Sequence, residues 1–138
     1  MKNFIKIFAV ILTLSIVTVG CVDKKEEYRT LINKGVKELY KSNYDVANQL
    51  FEEALQLDSN NSEAYFYLCQ GKFGLADYKS ALTYSTKAID KNPKFGEAYK
   101  SRAQINFILN NFEASCADYK KAMQFGIKNL DNYLNYCD

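Results

Sequence analysis

Apolar and small side chains recur at fixed places in three successive stretches of 34 residues, which begin at Tyr28, Ser62 and Gly96. In each stretch the fourth, eighth and twelfth positions carry bulky, small and bulky residues, a spacing that places them on one helical face. Small residues return at positions 20 and 27, further along the same stretch. Each stretch is therefore predicted to form two helices that pack closely where the small residues lie.

Position 16 of each stretch is Asn or Asp, and an aromatic residue follows it. Such side chains accept hydrogen bonds from the unpaired N–H groups at a helix start, so we expect Asn43, Asp77 and Asn111 to cap the second helix of each pair. The run Asn60-Asn61-Ser62 fits a glycosylation acceptor but is also read as a helix cap, before the helix predicted from Glu63. The complete pattern predicts helices over residues 28–41, 44–57, 63–75, 78–91, 97–109, 112–125 and 128–136.

The small residue at position 8 and the alanine at position 27 occur in all three stretches, as Gly35, Cys69 and Ala103 and as Ala54, Ala88 and Ala122. This pattern resembles the tetratricopeptide repeat (TPR), which has the same period of 34 residues. Ser59 and Ile127 stand where the repeat has proline, and Ser85 replaces an aromatic residue. The resemblance implies an all-α right-handed α-α superhelix of three helix hairpins, 28–61, 62–95 and 96–129. A C-terminal capping helix over 130–138 would cover the last pair with Leu130, Tyr133 and Leu134.

Residues 1–20 have the layout of a secretory signal, with Lys2 and Lys6 before an apolar run of about 13 residues, short of the ~20 that span a bilayer. Residues 17–21 resemble a bacterial lipobox, although Thr18 departs from the usual leucine. The resemblance implies lipid attachment at Cys21 and an envelope location, and Val22 favours the outer over the inner membrane. Residues 21–27 are then a flexible charged tether or a surface-export signal. An uncleaved anchor helix is the alternative for the apolar run.

The charges and the missing histidine exclude several kinds of site. The chain has 18 basic and 16 acidic residues, and two of the lysines lie in the predicted signal, so the remainder is balanced and nucleic acid is not an expected partner. Without histidine there is no Ser-His or Cys-His nucleophile pair. Asp90, Lys91 and Asp118 fall on helix faces that we expect to be solvated. We therefore predict no enzyme activity, no cofactor and no metal.

The remaining cysteines are given different roles. Cys69 occupies a small position and is predicted to be a buried packing residue. Cys116 and Cys137 both follow the export signal, in whose compartment disulfides persist. A bridge between them would close a loop of about 22 residues and pin the cap, at a stabilisation of ~3 kcal/mol. The sequence leaves open whether they are bridged.

The TPR resemblance implies that the first helices of successive repeats line a concave groove. The candidate peptide-binding residues are Ile32, Val36, Tyr40, Phe66, Gln70, Phe73, Lys100, Gln104 and Phe107. One TPR subclass holds C-terminal carboxylates with a clamp of Lys, Asn and Arg, and this chain has none of these at the clamp positions, which are Ile32, Val36, Tyr67, Glu97 and Ser101. An alternative for Phe73 and Phe107 is that they are core, since aromatic stripes at helical spacing are more often core than site.

These features predict a membrane-anchored protein–protein interaction module that binds a protein or peptide in its groove, in envelope assembly or a related complex. The alternative is a structural lipoprotein that associates with itself as a homo-oligomer, in which case the groove is occupied by a second copy or by the tether. The sequence does not identify the partner.

Overall fold

The structure is a computed structural model, and it describes residues 24–135 and Cys137. All regular elements in this part of the chain are helices. The predicted signal, the predicted lipid-attachment site at Cys21 and the beginning of the predicted tether lie outside the described residues. The helices are α1 (24–40), α2 (Tyr44–Leu57), α3 (Ser62–Gly74), α4 (Tyr78–Lys91), α5 (Gly96–Ile108), α6 (Phe112–Gln124) and α7 (Asp131–Leu134).

The helices form three hairpins that stack in chain order, so each packs mainly on its sequence neighbours. Within the stack α3 contacts α4 and α5 contacts α6, while α2 with α3 and α4 with α5 join one hairpin to the next. The short α7 packs on α6. The predicted all-helical solenoid is confirmed. None of the helices in residues 24–135 is long and apolar enough to cross a bilayer.

Each hairpin turns through one residue with left-handed backbone conformation, at Ser42 (φ 61°), Ala76 (φ 56°) and Asn110 (φ 62°). In each turn the N–H of the following residue donates to a carbonyl of the preceding helix, for example from Asp77 to Lys72 at 2.9 Å. This arrangement satisfies carbonyls at the helix end that would otherwise lack a donor. The same turn at the same position keeps the three hairpins in register.

The predicted caps are only partly correct. The side chains of Asp77 and Asn61 accept from the backbone N–H groups of Ser80 and Glu63, at 3.2 and 3.0 Å. Asn43 makes no such bond, because its amide turns back and donates to Glu38 at 2.7 Å.

Asn111 does not cap its helix either, since its amide donates to Asn106 at 3.4 Å. In both exceptions a polar side chain of the preceding helix lies within reach and competes for the amide.

The small residues predicted for close helix contact lie in the core. Cys69 and Ala103 are fully buried, and the ring of Phe51 packs directly over Gly35, so that a Cβ on this glycine would overlap the ring. The core then continues from hairpin to hairpin through Leu68 and Ile105, which are also fully buried.

Asp118 is buried, which corrects the expectation that it is solvated. Its carboxylate accepts two hydrogen bonds of 2.8 Å from the guanidinium of Arg102, which also donates to Thr86 at 3.4 Å. The bidentate contact to Asp118 raises the pKa of Arg102 above its ordinary value. This pair ties α5 to α6 and reaches α4, and the sequence pattern did not reveal it.

Two predicted boundaries at the ends of the solenoid are wrong. Residues 24–27, assigned to a flexible tether, are already helical and begin α1. The cap helix spans only Asp131–Leu134 instead of 128–136. It cannot begin earlier because Gly126 and Asn129 both have positive φ, 95° and 61°, which interrupts a right-handed helix.

Candidate functional site

Side chains of α1, α3 and α5 line a concave cavity of about 480 Å³, which we call the groove. Most of the predicted groove residues lie in its wall, namely Val36, Tyr40, Phe66, Gln70, Phe73, Lys100 and Gln104. Tyr40 is the last residue of α1, and its side chain is 88% exposed. Three successive hairpins thus contribute to one surface.

Ile32 was predicted to line the groove, and this is wrong. The side chain is only 5% exposed and packs in the core with Phe51 and Leu68. Ile32 lies in the core among residues of α2 and α3, while Val36 and Tyr40, further along α1, reach the groove.

The groove also contains Tyr44, which the pattern missed, and Tyr67 and Ser101, which were named at clamp positions but not among the candidate binding residues. Tyr67 and Ser101 share position 6 of their repeats, one helical turn from position 2, so helical spacing alone could have identified them. Tyr44 begins α2, where its ring fills the space left by Gly74 on α3.

Contacts between neighbouring repeats fix the floor of the groove. Gln70 donates to Ser101 at 2.8 Å, which joins α3 to α5 across its centre. The ring of Tyr67 stacks on that of Phe51 at 5.2 Å, and Phe66 contacts Phe95 at 5.1 Å. Because these side chains hold one another in place, the floor is formed before any ligand arrives.

The charged side chains of the groove neutralise each other. Glu97 and Lys100 are the charged lining residues, and their carboxylate and ammonium groups are 3.6 Å apart. Burial, with a smaller effect of the Glu63 carboxylate, raises the pKa of the Tyr67 hydroxyl above its ordinary value, so it remains a neutral hydrogen-bonding group. The groove therefore favours an apolar ligand with polar backbone groups.

A second cavity of about 500 Å³ lies beside the groove, beneath the C-terminal cap, and we call it the cap pocket. Phe73 and Gln104 line both cavities, so the groove and the cap pocket adjoin. The other walls are Phe107, Ile108, Tyr119, Asn132 and Tyr133. Phe107, predicted for the groove, belongs to this pocket and is 46% exposed, so the alternative that it is core does not hold.

Phe73 is half-buried and serves both as a core residue and as a lining residue of the two cavities. Its ring makes an edge contact to the ring of Tyr78, with centroids 5.6 Å apart.

In the described part of the chain one cysteine is free and buried, and two are bonded to each other. Cys69 is fully buried, and burial raises the pKa of its thiol to about 12. Cys116 and Cys137 form a disulfide with a Cα–Cα distance of 5.5 Å. The bridge attaches the end of the chain to α6 and thereby fixes the cap that covers the second cavity.

Comparisons with known proteins agree with this architecture. No family model matches the chain. It is 33% identical over 96 residues to the mouse protein DnaJ homolog subfamily C member 7, which covers 67% of this chain and 19% of that one. The chain thus spans about a fifth of the length of that curated relative.

Solved structures show the same fold at low sequence identity. The Arabidopsis OM64 TPR domain superposes with a TM-score of 0.77 at 20% identity, covering 83% of this chain and 99% of that domain. The first TPR of Spaghetti (RPAP3), bound to the HSP90 peptide SRMEEVD, has a TM-score of 0.75 at 20% identity, covering 81% and 89%. With three hairpins, the expected small positions in the core and these structural neighbours, the chain has the fold of a tetratricopeptide-repeat solenoid.

Proposed function

We propose that the protein is a non-enzymatic binding module that holds a segment of another protein in the groove. The observation that carries this proposal is a cavity of about 480 Å³ whose walls come from three successive repeats and whose floor is already fixed by contacts such as that between Gln70 and Ser101. The structure of the first TPR of Spaghetti with an HSP90 peptide supports a peptide as the class of ligand.

The ligand we propose is an uncharged segment with bulky apolar side chains. Phe66 and Tyr67 offer aromatic contact surface, while Gln70 and Gln104 can exchange hydrogen bonds with a peptide backbone. A charged ligand would lose its hydration against a groove whose own charges, on Glu97 and Lys100, are already paired. Apolar anchors laid across a groove are a common mode of peptide recognition.

We further propose that the groove is presented at a bacterial membrane through lipid on Cys21, in envelope assembly or a related complex. Two observations support this. The sequence before Cys21 resembles a lipobox, and the described part of the chain contains a disulfide, which persists in exported proteins and is rare in the cytosol. The outer membrane remains the favoured location.

Site-specific photocrosslinking in the native cell tests the groove. Benzoylphenylalanine is placed at Tyr40 in the groove, and at Val46 as the control, because Val46 is also well exposed but lies on α2 outside both cavities. We expect one defined adduct from position 40 and none from position 46. Adducts from both positions, or from neither, would contradict recognition in the groove.

The mass of the adduct separates the two kinds of partner. An adduct between two copies of this chain would support the self-associating structural lipoprotein and replace the adaptor proposal. With a different protein, the crosslinked segment can be synthesised and its dissociation constant measured. The variant Gln104→Ala should then weaken binding about tenfold or less, as expected for a hydrogen bond of 0.5–1.5 kcal/mol, and Val46→Ala should not.

Fractionation of cells tests the anchor. Cys21→Ser removes the proposed lipid site, so the protein should move from the membrane to the soluble fraction and lose incorporation of labelled palmitate. Cys69→Ser is the matched control, since Cys69 is buried in the core. Retention of the Cys21→Ser protein in the membrane would instead favour an uncleaved anchor helix.

A further inference from the structure

The C-terminal cap is built to form a binding subsite in addition to closing the solenoid. We propose that the cap pocket takes one bulky apolar side chain, aromatic or long aliphatic, from the polypeptide that lies in the groove. The proposal rests on the proposed function of the groove, of which it names a specific ligand feature.

Aromatic rings dominate the walls of the cap pocket. Phe73, Phe107, Tyr119 and Tyr133 face a space of about 500 Å³, and none of the lining residues is charged. A charged side chain entering this pocket would lose hydration without gaining a partner, whereas an apolar one would bury its surface against rings. The chemistry of the walls therefore selects an uncharged apolar group.

Tyr133 shows how the cap departs from the repeats to build this wall. The tyrosines at the equivalent position of the second and third repeats, Tyr65 and Tyr99, each donate from their hydroxyl to a loop carbonyl six residues earlier, at 3.2 Å. Tyr133 instead stacks on Tyr119 with ring centroids 4.9 Å apart and stays 45% exposed. The residue that elsewhere secures a loop here presents its ring to the pocket.

Polar groups at the pocket are suited to the backbone on either side of the anchor. The carboxamides of Gln104 and Asn132 lie in the pocket wall, and neither makes a hydrogen bond to any other described residue. A carboxamide offers both a donor and an acceptor, which matches one peptide unit. Since Gln104 also lines the groove, the pocket lies within one side chain's reach of a peptide bound there.

The disulfide makes the wall persistent. A cap helix of four residues has too few hydrogen bonds to be stable alone, and Cys137, beyond its end, is bonded to Cys116 on α6. This bond keeps Tyr133 over Tyr119. Loss of the bond should therefore remove the pocket, while α1 to α6 and the groove remain folded.

Nuclear magnetic resonance titration with a small probe tests the pocket independently of the natural partner. N-acetyl-phenylalaninamide supplies one apolar side chain flanked by two amides, and N-acetyl-aspartic acid amide is the charged control. We expect the first probe to shift the side-chain amide signals of Gln104 and Asn132 at millimolar concentration, with at least tenfold weaker shifts from the second. Equal shifts from both probes, or no shifts, would overturn the proposal.

Variants distinguish binding of the probe in the cap pocket from non-specific binding elsewhere on the protein. Tyr133→Ala removes a ring of the pocket wall, and the double variant Cys116→Ser/Cys137→Ser releases the cap. Each should abolish the shifts in a protein that keeps helices α1 to α6. Tyr40→Ala, in the groove alone, should leave them intact. Shifts that survive both cap variants would place the probe elsewhere and contradict the proposal.

The titration also distinguishes failure of the pocket from failure of the groove. If the crosslinked segment binds and Gln104→Ala weakens it, but Tyr133→Ala does not, the groove stands and the pocket proposal is overturned. If the probe shifts the pocket signals while no partner crosslinks at position 40, the pocket stands and the groove proposal fails.

Discussion

The contact between Gly35 and Phe51 links the packing of the first hairpin to the shape of the groove. Phe51 is fully buried over the glycine, and its ring also stacks on Tyr67, a residue of the groove wall. A side chain added at position 35 would displace the Phe51 ring, on which Tyr67 stacks. A residue that touches no ligand can therefore change the binding surface.

We expect Gly35→Ala to lower the free energy of unfolding by about 1–2 kcal/mol, because overpacking against a fixed ring outweighs the ~1 kcal/mol that alanine gains in helix propensity. Urea denaturation followed by circular dichroism measures the change. Lys34→Ala is the control, since Lys34 is the exposed neighbour on the same helix. A Gly35→Ala protein at least as stable as the parent would show that Phe51 can move freely.

The buried Cys69 thiol and Tyr119 hydroxyl are expected to make the fold less stable at alkaline pH. Burial raises the pKa of the Cys69 thiol from 9.0 to about 12 and that of the Tyr119 hydroxyl from 10.0 to about 12. Above pH 9 the unfolded chain releases these protons while the folded chain keeps them, so the folded state loses stability as pH rises from about 9 to 12. Below pH 9 this contribution is complete.

Urea denaturation at pH 8, 9, 10 and 11 measures this slope, which should be shallower in Cys69→Ala and in Tyr119→Phe. Each variant removes one ionisable group and keeps most of the side-chain volume. A free energy of unfolding that changes by the same amount in the parent and both variants would assign the alkaline instability to other groups.

At the scale of elements, the periodic pattern was sufficient wherever a helix repeats its neighbour. Residues 44–57 and 78–91 were predicted as helices and are the bounds of α2 and α4. The ends of the solenoid could not be predicted in this way, because among the described residues α1 and α7 each pack on a helix on one side only. Their limits depend on local backbone, such as positive φ at Asn129, and on the disulfide.

Most residues of the groove were predictable from helical spacing, as most of the helices were. Spacing placed Phe66, Gln70 and Gln104 on the concave side, and they line the groove. Ile32 was misplaced because the edge of a helical face is known from sequence only to within one side chain, and Ile32 packs in the core with Phe51 and Leu68. The sequence did not predict the pairing of Arg102 with Asp118, because the two side chains meet only through the packing of α5 on α6.

The cap depends on its covalent link, and we expect reduction to lower the free energy of unfolding by about 3 kcal/mol, the value for a loop of this length. The two cysteines are 21 residues apart in the chain. Urea midpoints with and without dithiothreitol measure the difference. Cys69→Ala should show the same response to reductant as the parent, and Cys116→Ser/Cys137→Ser should show none; a response in the latter would implicate another bond.

On the scale of the whole molecule, solved structures about 20% identical to this chain share its fold, and the fold does not fix the charge of the concave face. The first TPR of Spaghetti was solved with the HSP90 peptide SRMEEVD, which carries acidic side chains and a terminal carboxylate. In this chain the groove presents the Glu97 carboxylate, and the ammonium of Lys100 is already paired with it. The overall shape alone therefore does not decide which peptide is bound.

We expect the protein not to bind SRMEEVD at concentrations up to about 1 mM, because like charges would meet at Glu97 and the clamp position at Ile32 is buried. Isothermal titration calorimetry at low salt makes this a strict test, since electrostatic attraction is strongest there. Glu97→Lys should introduce weak binding that disappears as salt is raised, because it reverses the repulsive charge and leaves Lys100 unpaired. Micromolar binding by the parent would mean that the groove accommodates acidic ligands through groups other than the clamp residues, and the apolar ligand proposed above would then have to be replaced.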